Sequence, residues 1–363
     1  MKAIIFAGGV GTRLWPLSRK KTPKQFEKII DNKSTLQIAV ERLQPTLKPK
    51  DIFISTEESY VKIVAKQLKD IPGENIIGEP ERKDVGPAVA YVMGYFEKKF
   101  SKDEPVFISW SDHLVKDIKK FQNILLVGEQ IIKTNSRKIV FVGQIPRFPS
   151  VNLGYIEFEK NSFKAINGID LHGFRAFKYR PEQDIANKYF TDKKHCWNLG
   201  YFITTPGFMI DAFNKLAPDL SSINTKIFDS FGSQNFKEIS KKYYSQMPSI
   251  HLDNAILEKL EPKGACVIVE DIGWSDVGAW EALKEALESK KSDNITNGEV
   301  MLKDSTDNLV YNYDEDKLIV GIDLEDMLIV NSNDVLLVTR KKSVSKIKTL
   351  VESFHGTEHE KLT

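Results

Sequence analysis

Two cysteines in a chain of 363 residues are too few for a disulfide framework, and neither Cys196 nor Cys266 has neighbours at zinc-ligand spacing. A reducing compartment is the natural setting, and a cytoplasmic location is expected. A long apolar run is also missing. Residues 3 to 6 are apolar, but Gly8, Gly9 and Gly11 follow at once, too soon for a signal peptide or a membrane span. Charge of one sign is lacking as well: 52 basic and 50 acidic residues are scattered along the chain, and the net charge is +2. No global field therefore favours nucleic acid or a membrane surface, and any anion must be held by local groups. Histidine is scarce at six residues, and His195, His251, His355 and His359 have no partners at ligand spacing. His113 stands beside an acidic residue, where a packed, hydrogen-bonded ring is the expected state. The basic run Arg340 to Lys342 is expected on a solvated helix face.

What is present fits a globular α/β protein. The composition is 41% hydrophobic and 28% charged, and the length exceeds one ordinary core, so a large domain and a smaller one are expected. Short β-rich runs, such as 3–6, 52–55, 75–77, 105–110 and 138–142, alternate with helix-length amphipathic stretches near 35–43, 60–68, 87–100 and 118–133. That alternation predicts a Rossmann-like, mixed but mostly parallel sheet, with ligands at the carboxyl ends of its strands. After Lys291 only short apolar runs divided by Asn, Asp and Gly remain, before a last amphipathic helix near 344–354. The expected organisation is a catalytic domain over 1–290 and a β-rich domain over 291–363 ending in a helix.

The strand-forming opening leads into AGGVGTRLWPLSRKKTPKQF, whose three glycines let backbone amides approach an anion and whose Arg13 and Lys24 supply cations. Neither better-known phosphate loop matches: no GK[ST] ending is present, and Leu14 stands where the dinucleotide fingerprint needs a glycine. Two acids follow apolar runs, Asp112 after PVFIS and Asp276 after VIVEDIG. Each is expected just beyond a strand's carboxyl end. Together they suit a hard cation such as Mg²⁺ that also takes phosphate oxygens. Trp110, Trp197, Trp274 and Trp280 are expected as wall and core residues, and Cys196 as a small buried hydrophobe.

The opening resembles the signature GGxGTRLxPLSxxxPKQF of the mannose-1-phosphate guanylyltransferases, within the wider sugar nucleotidyltransferase family. Further segments fall in the family's order: 78–90, SWSDHL at 109–114, NLGYI at 152–156, 177–181, WNLG at 197–200, DNAILEK at 253–259 and GWSDVGAW at 273–280. The resemblance covers residues 1 to 290 strongly, and the tail is similar to the family's short left-handed β-helix. It implies transfer of a nucleotidyl group from GTP to mannose 1-phosphate, giving GDP-mannose and pyrophosphate, with Mg²⁺ on Asp112 and Asp276. It further implies a nucleotide site of Ala7, Gly8, Gly9, Gly11, Thr12, Arg13, Lys24, Glu79, Pro80, Asp84, Ser109 and Asp112. Sugar-phosphate binding would fall to Gly154, Tyr155, Tyr179, Arg180 and Asn198, and a homodimer is common in the family. Arg13, Lys24, Asp112 and Asp276 are the catalytic group so implied.

Two departures leave alternatives. In the family's FxEKP motif, Tyr179 replaces a sugar-binding glutamate and Arg180 a phosphate-binding lysine. Arginine still holds a phosphate, as a fork, but tyrosine removes an acceptor pair that would take sugar hydroxyls. In the family's GRNTAPA motif, Asp84 and Val85 stand for asparagine and threonine. The same chemistry on another sugar 1-phosphate or nucleoside triphosphate therefore stays open. So does a catalytically weak, regulatory sugar-nucleotide-binding homologue, against which the four intact catalytic residues speak.

Overall fold

The computed structural model describes residues 1–9, 12–19 and 23–363. Its first compact unit comprises Met1–Gly8, Val40–Trp110 and Lys116–Gly273, and its second Gly9–Ala39, Ser111–Val115 and Trp274–Thr363. These units do not divide at residue 290. The reason is apolar packing: Leu14, Trp15 and Leu17 of the opening segment share one core with Val277, Trp280, Leu309 and Leu328.

The first unit is built on nine strands: β1 Lys2–Phe6, β2 Ile52–Glu57, β3 Ile76–Glu79, β4 Val106–Trp110, β5 Ile139–Gln144, β6 Gly154–Ile166, β7 Ile169–Lys178, β8 His195–Thr204 and β9 Ala265–Val269. They run in the order β3-β2-β1-β4-β8-β5-β9-β7-β6. Pairing is parallel across β3-β2-β1-β4 and between β5 and β9, while β8 runs antiparallel to both β4 and β5. Strands covered on both faces become continuous apolar runs, and all six residues of β5, IVFVGQ, are buried. Helices α1 (Val85–Lys99) and α2 (Ile118–Thr134) supply apolar stripes, α1 burying Val89, Val92, Met93 and Phe96. The β6–β7 hairpin turns at Asn167 and Gly168, with φ of 50° and 77°, the left-handed pair that a two-residue hairpin turn requires. Cys196 and Cys266 are free and buried, as expected of small hydrophobes.

In β8 the chain bends at a register shift. His195 to Asn198 pair with β6, and both Trp197–Asn198 and Tyr201–Ile203 pair with β5, the shift falling between Asn198 and Tyr201. Gly200 absorbs the bend at φ 71°, where a Cβ would come 2.1 Å from Trp110 Nε1. Only glycine fits there.

The second unit carries a β-helix-like coil. Its strands are β10 Ile295–Asn297, β11 Val300–Lys303, β12 Leu309–Asn312, β13 Ile319–Ile322, β14 Met327–Asn331 and β15 Leu336–Arg340. Parallel partners lie 19 residues apart: Val300 with Ile319, Thr306 with Glu325 and Leu309 with Leu328. The corners repeat at the same interval, with positive φ at Asp304 and Asp323 and again at Asp307 and Asp326. Inside the coil, Asn331 Nδ2 donates to Asn312 Oδ1 at 2.9 Å, and Asn312 Nδ2 donates to the Glu299 carbonyl at 3.0 Å. Both side chains are buried, so these bonds satisfy groups that water does not reach. Antiparallel β15 closes the stack, and helix α3 (Lys346–Glu352) buries Ile347 and Val351 against it.

Asn312→Ala removes the centre of this ladder and leaves several polar groups unpaired. The expected result is a loss of about 1–3 kcal/mol, read as a lower urea midpoint with an unchanged slope.

Candidate functional site

Four residues far apart in sequence converge in the second unit. The chain leaves β4 at Trp110, and a two-residue antiparallel ladder pairs His113 with Asp276 and Leu114 with Ser275. The Val277 N–H donates to the Asp112 carbonyl at 3.0 Å, locking the two acid-bearing segments side by side. Lys24, buried at the start of a 3-10 turn, reaches Asp112 Oδ2 at 2.8 Å and donates to the Val277 carbonyl at 3.0 Å. Arg13 lies against Gly278, where a Cβ would approach its guanidinium to 3.0 Å, and its charge acts on Asp276.

The two acids feel opposite surroundings. Burial pushes the Asp112 carboxyl up, but Lys24 and His113 more than offset this and hold it well below the usual carboxylate range. Asp276 is pushed up, first by burial and then by the charge of Asp112, against the pull of Lys24 and Arg13. Two carboxylates in mutual repulsion are a site that a divalent cation relieves. Among the described residues no three His, Cys, Asp or Glu side chains group at metal-ligand distance. The donor set fits a hard cation held by two carboxylates, with water and phosphate oxygens completing its shell. His113 packs edge-on against Trp274 at 5.0 Å, in keeping with a packed ring.

The other nucleotide-site residues fare differently. Gly9 takes φ 99° and its carbonyl accepts from Gln25 Nε2 at 3.1 Å, so this turn needs glycine. Gly11 and the side chain of Thr12 lie outside the described residues. Ala7 is buried, with its N–H on the Ser55 carbonyl at 2.7 Å and its carbonyl taken by Thr56 Oγ1 at 2.9 Å. Ser109 is fully buried in β4, and its hydroxyl accepts from Arg42 Nη2 at 3.0 Å, so its side chain is engaged within the protein. Glu79 is likewise spent. Its carboxylate takes the Ser55 hydroxyl at 2.6 Å and the Tyr244 hydroxyl at 3.0 Å, and burial pushes its pKa up. Pro80 lines a cavity of about 380 Å³ with Tyr91 and Ser240, and Asp84 precedes α1 and accepts from Ser249 Oγ at 3.0 Å.

On the sugar side, the first unit brings most of the expected residues together. Gly154 pairs with Asn198 across β6 and β8, and a Cβ on Gly154 would meet Phe177 at 2.8 Å. Asn198 Oδ1 accepts the Gly200 N–H at 3.0 Å. Lys178 pairs with Tyr155, so the loop carrying Tyr179 and Arg180 begins beside them. Tyr155 is fully buried and its hydroxyl donates to the Ser150 carbonyl at 3.0 Å, so its side chain is held within the protein. Arg180 adopts φ 43°, stacks its guanidinium over Tyr179 at 5.0 Å and donates from Nε to the Asn152 carbonyl at 3.3 Å.

Residues 249–258 carry no role in the expected site, although DNAILEK at 253–259 resembles a family motif. Here Glu258 Oε1 takes the Tyr179 N–H at 3.0 Å, the His251 ring lies 5.3 Å from that of Tyr179, and His251 Nδ1 is 3.7 Å from Asp84. One short segment thus holds the loop at 178–181 and the loop before α1. Nothing in its local pattern marks it, because the contacts form only across elements.

A family model described as nucleotidyl transferase matches residues 2–293. Mannose-1-phosphate guanylyltransferase 2 of Escherichia coli O157:H7 is 32% identical over 96% of this chain and 72% of its own length. An Escherichia coli mannose-1-phosphate guanylyltransferase is 30% identical over 96% of this chain and 74% of its own. Among solved structures, a Thermus thermophilus protein described as mannose-1-phosphate geranyltransferase superposes with a TM-score of 0.84 at 22% identity, covering 98% of this chain and 99% of that one, a likeness of fold.

Replacing Lys24 by Met withdraws the main cation acting on Asp112. Its carboxyl pKa is expected to rise from its depressed position, followed by carboxyl-carbon NMR against the wild type.

Proposed function

The chain belongs to the nucleotidyl transferase family, in the company of mannose-1-phosphate guanylyltransferases, and from that we propose that it transfers the guanylyl group of GTP to mannose 1-phosphate, releasing pyrophosphate. The observation that carries this reading is the convergence of Arg13, Lys24, Asp112 and Asp276 in one cluster of paired charges. In the reaction a phosphate oxygen of the sugar 1-phosphate attacks the α-phosphorus of the nucleotide in line. The bond to the β,γ-diphosphate breaks, and pyrophosphate leaves. Such a transfer asks little covalent chemistry of the protein, so positioning and charge neutralisation lower the barrier.

Arg13 would neutralise the β- and γ-phosphates and Lys24 the α-phosphate. Lys24 suits that role because its ammonium is buried and fixed by Asp112 and the Val277 carbonyl, ready for charge developing on the oxygens. Asp112 and Asp276 would hold Mg²⁺, which when bound neutralises phosphate oxygens. Gly154 and Asn198, with the Arg180 fork, would receive the sugar 1-phosphate. The reading carries with it a cytoplasmic setting, supported by the free cysteines, and a homodimer, supported by family resemblance alone. No helix of the described residues is long and apolar enough to cross a membrane.

A panel of sugar 1-phosphates and nucleoside triphosphates, with pyrophosphate release as readout, tests the reading. GTP with mannose 1-phosphate is expected to give the highest kcat/KM. Arg13→Ala and Lys24→Ala should each lower turnover by about 10²-fold or more. Wild-type rates in either variant would remove the cluster from the mechanism, and preference for another pair would reassign the substrates.

A further inference from the structure

A pyranose ring presents adjacent hydroxyls, and a carboxylate, with two acceptor oxygens in one plane, is well suited to take such a pair. Tyr179 cannot supply it. Three carboxylates surround the loop at 178–181: Glu258, Asp84 and Asp253. Glu258 is committed, with Oε1 on the Tyr179 N–H at 3.0 Å and near Lys178 at 3.6 Å, and Oε2 taking Asn254 Nδ2 at 3.1 Å. Asp84 takes the Ser249 hydroxyl on one oxygen and faces His251 with the other. Asp253 differs. Among the described residues no side chain donates a hydrogen bond to its carboxyl, while the charges of His251 and Arg180 act on it.

Arg180 completes the picture. It holds a left-handed φ of 43°, a conformation that costs a non-glycine residue energy and gathers at ligand sites. Its Nε is fixed on the Asn152 carbonyl, and its charge acts on Asp253. The segment 251–258, seated on Tyr179 through Glu258 and His251, thus brings Asp253 to the loop that carries the Arg180 fork, and a carboxylate and a fork are the pair of functions a sugar 1-phosphate needs. We propose that Asp253 reads the hydroxyls of the sugar ring, supplying the acceptor pair that Tyr179 lacks, with Arg180 beside it for the phosphate. The proposal rests on the sugar 1-phosphate reading above.

Burial pushes the Asp253 carboxyl up to about 6, with Glu258 adding to the rise and His251 and Arg180 opposing it. Tyr179 faces the same carboxylate. The ionised, accepting form therefore dominates above pH 6 and is lost as pH falls through it. Because burial disfavours that ionised form, removing its charge at neutral pH is not expected to weaken the fold.

The test compares the wild type with Asp253→Asn in the pyrophosphate-release assay, varying each substrate separately. Expected for the variant are a KM for the sugar 1-phosphate raised roughly ten- to hundredfold, an unchanged KM for the triphosphate and a Tm no lower than wild type. The ratio of variant to wild-type sugar KM should shrink toward one as pH falls below 6, and titration of the sugar phosphate itself cancels in that ratio. An unchanged sugar KM, a ratio independent of pH, or a rise in both KM values with a fall in Tm would each overturn the assignment. If the wild type turns over no sugar 1-phosphate at all, the substrate reading fails first. If it does and Asp253→Asn matches it, the role of Asp253 alone fails.

Discussion

The buried ammonium of Lys24 ties together three stretches of chain that are otherwise remote. It reaches the carboxylate of Asp112 and the carbonyl of Val277, whose own N–H is bonded back to the Asp112 carbonyl. A cation in this position needs compensation, and the compensation comes from residues that the proposed chemistry also uses. Asp112 is kept ionised by it, and Asp276, with no cation so close among the described residues, is left with a raised affinity for positive charge. One ion pair thus orders the segments and sets the unequal electrostatics of the two acids.

The packing beneath this cluster explains why the second unit draws on both ends of the sequence. Trp280 donates from Nε1 to the Trp15 carbonyl, Trp15 donates to the Leu362 carbonyl, and both rings rest on the apolar interior of the β-helix-like coil. The tail is therefore part of the platform on which Arg13 and Lys24 are held. In the first unit the comparable constraint is the antiparallel insertion of β8, whose irregularity at Gly200 falls between Asn198, paired with both Gly154 and Gly143, and Tyr201, which continues along β5.

On the proposed sugar side two elements contribute. The loop at 177–181 carries Tyr179 and no carboxylate, yet the segment at 249–258 packs on it and brings carboxylates of its own. Glu258 is used to hold the loop backbone, whereas among the described residues no side chain donates a hydrogen bond to Asp253. Burial of an acid without a compensating side chain costs stability, and such a cost is most readily retained where a ligand supplies the missing donors.

Much of this was legible in the sequence. Strand periodicity marked β1, β2, β4 and β5, where burial on both faces favours apolar runs, and the short strands of the tail, several of which alternate in exposure along their length. The glycine-rich opening and the two acids following apolar runs pointed to Arg13, Lys24, Asp112 and Asp276, which the structure brings into one cluster of charges. The 19-residue repeat of the coil escaped notice, although Asp304, Asp307 and Asn312 recur as Asp323, Asp326 and Asn331, because only two turns are present to show a period. Tertiary structure alone decided the rest. Ser109, Glu79 and Tyr155 face inward to protein partners, the opening segment folds with the tail, and residues 249–258 meet the loop of Tyr179. Side-chain direction and partner choice at these places depend on contacts between segments distant in the chain, and local pattern carries no record of them.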